Sequence, residues 1–179
     1  MSSFGKPDAT GRSSGKYAGR RGAAKRPPKD EPWVWRTREI TASDAWRCRS
    51  INVARLIDFL ELEHMNHAGT ENGNLFATHS QLIEWGIGKN YVTDAIDEAV
   101  FLGLVKVQRG GRWAGRNDAS KYRLTYYVDR DGNPATNEWK PKTEAEIKEW
   151  RRKRSHRKKI KKAARNNYLT PIIGGYGTP

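Results

Sequence analysis

A chain of 179 residues that is 36% hydrophobic and 30% charged has material for one packed domain but not for packing along its whole length. Its formal net charge of +14 is confined to the ends: residues 1–30 hold eight Lys/Arg against two acids, 31–142 fifteen against fifteen, and 143–179 eleven against three. A single cysteine, Cys48, excludes an intramolecular disulfide and suits a reducing compartment, and the apolar run Ala99–Val105 is broken by Gly103, so neither export nor a membrane span is expected.

Residues 1–32 are rich in Gly, Ser, Lys, Arg and Pro without a period, which predicts a disordered basic arm. Arg20, Arg21, Lys25 and Arg26 suit a minor groove or a phosphate backbone; a solubilising tail is the plainer alternative. The alternation Trp33-Val34-Trp35 predicts a short strand with one tryptophan on the domain, or else exposed rings that stack on bases. Ser43 is placed to cap a short helix carrying Ala45 and Trp46. From Ser50 to His67 a longer helix is expected, with Val53, Leu56, Ile57, Leu60 and His64 inward and Arg55, Asp58 and Glu61 outward. Glu63, His64 and His67 share reach along that helix, but no further strong ligand and no H-E-x-x-H pattern accompanies them, so no metal site is expected. Ala68–Gly73 reads as a turn, and Asn74–Ala77 as a short strand.

The most informative stretch runs from Thr78 to Thr125. Thr78-His79-Ser80-Gln81 has the form of a capping box, in which threonine and glutamine side chains each satisfy an orphan N–H of a helix start. Leu82 and Ile83 give that short helix a buried side, Gly86 ends it, and Ile87-Gly88 is the turn. A second helix is expected from Lys89, with Val92, Ala95, Ile96, Ala99 and Leu102 at helical spacing and Gly103 closing it. Lys89, Asn90, Tyr91, Thr93, Asp94 and Asp97 lie on its other side. After Gly103 the period becomes alternating: Val105 and Val107 against Lys106, Gln108 and Arg109, then a Gly/Arg loop through residues 110–119, then Tyr122, Leu124 and Tyr126 against Lys121, Arg123 and Thr125.

Thr78 to Tyr126, particularly Asn90-Tyr91-Val92-Thr93-Asp94-Ala95-Ile96 and Leu102-Gly103-Leu104-Val105, resembles the winged helix-turn-helix DNA-binding proteins of bacterial phage, plasmids and mobile elements, including replication-initiator-like domains. The resemblance extends upstream to Ser43 and implies a mainly α fold with a small β-sheet (α+β), the winged domain spanning 33–128 between basic, largely disordered arms. It implies that the helix from Lys89 enters the major groove. Asn90 then suits the adenine N6/N7 edge, Lys89 the guanine O6/N7 edge, and Tyr91 and Thr93 a phosphate or thymine methyl, while Asp94 and Asp97 suit cytosine amino groups or else only restrain nonspecific binding. Arg109, Arg112, Arg116, Lys121 and Arg123 of the hairpin are expected to position the backbone.

Asp129–Pro134 opens a linker over 129–142 and lacks the closing ligands of a calcium loop, so a reverse turn is expected. Thr143-Glu144-Ala145-Glu146 is a second capping box, which predicts a basic helix over 143–165 docked by Ile147 and Trp150. Its cations Arg151, Arg152, Lys153, Arg154, Arg157, Lys158 and Lys159 suit a phosphate backbone, with a solvated basic tail as the plainer alternative; residues 166–179 read as a flexible tail. No Gly-rich phosphate loop with its lysine, no GxSxG elbow and no metal set is present, so neither an enzyme nor a cofactor is expected. The expected partner is double-stranded DNA, bound as a transcriptional regulator or as a replication or recombination accessory protein, in a cytoplasmic, nucleoid-associated setting. A protein-interaction module whose arms bind RNA or an acidic partner is the alternative of another class.

Overall fold

The computed structural model describes the backbone of residues 32–113, 116–117 and 119–168, with side chains described up to residue 111 and over 119–164. Arg20, Arg21, Lys25 and Arg26 lie outside the described residues, as do the side chains of Arg112 and Arg116. The fold is α+β: α1 (Arg38–Ala42), α2 (Asp44–Arg47), α3 (Ile51–Asn66), β1 (Leu75–Ala77), α4 (His79–Glu84), a 3-10 turn (Lys89–Tyr91), α5 (Val92–Phe101), β2 (Val105–Gln108), β3 (Arg112–Trp113), β4 (Arg116–Asn117), β5 (Ser120–Leu124) and α6 (Glu144–Tyr168).

Helix starts follow the local chemistry of their caps. Ser43 and Ser50 each accept the N–H three residues on, from Trp46 and Val53, and Thr37 does the same for Ile40 in α1, a helix that periodicity did not disclose because it is five residues long. At Thr78 both halves of the capping box are made, with Gln81 returning to the Thr78 N–H at 2.9 Å. Thr143 repeats the arrangement with Glu146 at 3.0 Å.

The strands form an antiparallel sheet in the order β1-β5-β2, with Leu75 opposite Tyr122 and Val105 opposite Leu124. One face of this sheet packs on α3 and α5, so Leu75, Tyr122, Leu124 and Val105 join Leu56, Ile57, Leu60, Val92, Ile96 and Ala99 in a single core. The loop expected between the long strands contains a further two-residue ladder, Arg112 opposite Asn117 and Trp113 opposite Arg116.

Five expectations are corrected. Trp33 and Trp35 lie in no strand and are 52% and 63% exposed; Arg36 anchors that segment instead, over the Trp46 ring and against Glu61. Glu61, expected outward, is buried, because Arg36 donates through Nε at 2.9 Å and the Tyr126 hydroxyl at 2.9 Å, supplying the partners a buried carboxylate needs. Ile83 is exposed, since the six residues of α4 turn only Leu82 to the core. The last strand stops at Leu124, so Thr125 turns inward rather than to solvent and donates to the Gly103 carbonyl at 2.7 Å. Finally, 129–142 is no free linker: Asn137 N–H donates to the Thr125 carbonyl at 2.9 Å and Trp139 is buried in the core. The turn at its start is as expected, with Asp129 accepting from the Asn133 N–H at 2.7 Å.

A buried asparagine ties these pieces together. The Asn72 amide donates to the carbonyls of Leu124, Tyr127 and Val128, while its oxygen accepts the Leu124 N–H at 2.7 Å. The turn before β1 is thereby locked to the end of β5.

Candidate nucleic-acid interface

Gly86, at φ +98, ends α4, and the buried Ile87 sets the angle of the turn that follows. Gly88 has no side chain with which to cap the next helix, so the chain enters it through the tighter 3-10 turn Lys89–Tyr91, with Tyr91 N–H on the Gly88 carbonyl at 2.7 Å. Lys89, Asn90, Tyr91 and Thr93 are all exposed there, and none has a side-chain hydrogen bond or ion pair among the described residues. The tip of α5 is therefore a cluster of free hydrogen-bonding groups with one cation.

The flank of α5 is different. Val92, Ala95, Ile96 and Ala99 face the core, and at about 100° per residue Asp94, Asp97, Glu98 and Phe101 fall almost diametrically opposite. Helix α6 lies along that arc. Phe101 stacks on Trp150 with ring centroids 4.6 Å apart. Arg151 pairs with Glu98 and also donates to the Cys48 carbonyl; Arg154 reaches both Asp94 and Asp97 at 2.7 Å; Lys158 pairs with Asp94. Glu98 in turn accepts the Ser50 N–H at 3.2 Å, which ties the start of α3 to the same cluster. The pairs descend along α5 as they ascend along α6, so the helices are antiparallel.

Burial pushes the Asp94 carboxyl up, but the hydrogen bonds from Lys158 and Arg154 outweigh it and hold the group below its ordinary value. Burial likewise opposes the charge on Arg154, and its two carboxylate partners overcome it. Asp94 is thus a charge already matched, and the role of cytosine reader expected for it gives way to that of an anchor for α6.

The remaining cations divide into held and free. Arg109 pairs with Asp97, which so bridges hairpin and α6. Arg123 is held by Asp129 at 3.1 Å and the Pro134 carbonyl at 3.1 Å. Lys121 is exposed and lies over the Phe76 ring at 5.6 Å, with no carboxylate partner among the described residues. On α6, Arg152 and Lys153 sit beside Glu149 of the same helix, whereas Arg157, Lys159, Lys161 and Lys162 are exposed without an ion-pair partner among the described residues. Sequence reasoning missed the ladder: acids at 94, 97 and 98 and cations at 151, 154 and 158 each recur at helical spacing, which is a signal for a charged face on each helix but not for their pairing.

Among the described residues no helix is long and apolar enough to cross a membrane, and no three His, Cys, Asp or Glu side chains converge as metal ligands. No protein-family model, no curated protein and no solved structure matches the chain.

Proposed function

We propose that the protein binds double-stranded DNA as a winged helix, in a sequence-dependent manner, and acts as a transcriptional regulator without a catalytic step. The observation that carries this reading is the order α3-β1-α4-α5-β2-β5 with sheet order β1-β5-β2, together with an exposed tip at Lys89, Asn90, Tyr91 and Thr93 that has no side-chain partner among the described residues. Those side chains can meet base edges and phosphates, and Lys121 of the hairpin is a further exposed cation without a carboxylate partner among the described residues. The net positive charge of both chain ends adds sequence-independent attraction to the polyanion.

Genome-wide immunoprecipitation of bound DNA, with and without Asn90→Ala, tests it. Discrete promoter sites that vanish in the variant support the regulator; one site at an origin or attachment region moves the role to replication or recombination. A flat profile refutes sequence-dependent binding. It would favour a protein-interaction module, a reading supported by the occupation of the α5 flank by a helix.

A further inference from the structure

The α5 flank and the DNA groove make incompatible demands. Each helix is about 10–12 Å across with its side chains, so α5 and α6 side by side exceed a major groove about 12 Å wide. Removing α6 would not prepare α5 for insertion either, because it would bare Asp94, Asp97 and Glu98 to a phosphate polyanion. Only the tip of α5 is free of acids, so in charge it is the one part of the helix suited to DNA.

The ladder also sets where the rest of α6 goes. The face carrying Arg151, Arg154 and Lys158 continues, at helical spacing, into Lys161 and Lys162. At about 1.5 Å per residue, these stand roughly one turn beyond Lys158, and Lys89 and Asn90 stand roughly one turn beyond Asp94 in the same direction. The first three cations of the face are matched by acids of α5; the last two reach the level of the tip, where α5 supplies Lys89 and no acid. Lys89, Lys161 and Lys162 are like charges at one end of a helix pair, which favours an anion between or across them.

We propose that α6 is a phosphate-contacting rail: its docked half is a spacer clamped by Asp94, Asp97 and Glu98, and its overhanging half, through Lys161 and Lys162, lies on the backbone of duplex DNA beside the tip of α5. This rests on the duplex-DNA reading above and assigns contacts to Lys161 and Lys162 that the sequence did not single out. Clamping α6 in advance removes the cost of ordering it on binding.

The test is fluorescence anisotropy of the full chain on a mixed-sequence 24-bp DNA duplex across a range of salt (about 50–200 mM). The wild type is compared with Lys161→Gln/Lys162→Gln and with Lys140→Gln/Lys148→Gln, an equal loss of charge at positions near the base of α6, with circular dichroism confirming that each is folded. The expected result is a fall of about 1.8 in the slope of log K against log salt for the overhang pair, two phosphates at about 0.9 each, and no change for the basal pair. An unchanged slope in the overhang pair, or an equal fall in both pairs, overturns the rail while leaving DNA binding intact. A wild type that does not bind the duplex overturns both readings, and tighter binding to an RNA duplex of the same length overturns the DNA assignment.

Discussion

Gly103→Ala separates backbone strain from packing at the joint between α5, β2 and the segment that launches α6. Gly103 has φ +69, and a Cβ there would stand 2.4 Å from the Glu138 carbonyl oxygen, 2.5 Å from its carbon and 2.8 Å from the Trp139 nitrogen. Gly132 has φ +81 but nothing within 4 Å of the same added atom. Both substitutions incur the left-handed strain, about 1 kcal/mol, and both gain the same small reduction in unfolded-state entropy. Only Gly103→Ala must also displace main chain, and that main chain carries the Asn137–Thr125 hydrogen bond and the buried Trp139. Overpacking of this kind costs about 1–3 kcal/mol, so the expected totals are about 3 kcal/mol at Gly103 and about 1 at Gly132. In thermal unfolding followed by circular dichroism the melting point should fall by about 10 °C and about 3 °C respectively. Equal losses would refute the argument, since strain alone would then account for both and the close approach of residues 138–139 would carry no energy.

Asn72→Ala should destabilise by about 3 kcal/mol, because the Leu124 N–H loses its buried partner and three carbonyls lose a donor; urea denaturation reads this as a lower midpoint at constant slope. Arg154→Ala removes both 2.7 Å contacts to α5, a loss of about 1 kcal/mol for partly exposed pairs, and should raise amide exchange in α6 beyond Arg151 while leaving α3 protected. Acid should have a matching effect. The folded-state value of Asp94 is depressed, so its share of α6 docking is complete above the ordinary carboxylate value of 3.8 and is lost as pH falls through the depressed one. Amide exchange of α6 measured between pH 6 and pH 3 (about the acid limb of carboxylate titration) should therefore show loosening only at the bottom of that range, and loosening near neutral pH would contradict it.

What the sequence determined by itself was what is settled within a few residues. Thr78 and Thr143 announce their helices because a capping box closes over three positions, and Gly86 and Gly103 mark helix ends by the left-handed backbone each adopts. Alternation placed Val105, Tyr122 and Leu124 on the inner face of the sheet for an equally local reason, the two-residue period of a strand.

Tertiary structure decided whatever depends on a distant partner. Glu61 reads as an exposed acid on a helix until Arg36 and Tyr126, 25 and 65 residues away, bring it the donors that make burial tolerable. Thr125 reads as the next outward residue of a strand until Gly103 offers it a carbonyl. Asp94, Asp97 and Glu98 read as a solvated face, and Arg151 to Lys158 as a free basic run, because the two sets lie 53 to 64 residues apart. Their complementarity depends on the register of one helix on another, which is set by Ile147 in the core and Trp150 on Phe101, and no local pattern encodes that register.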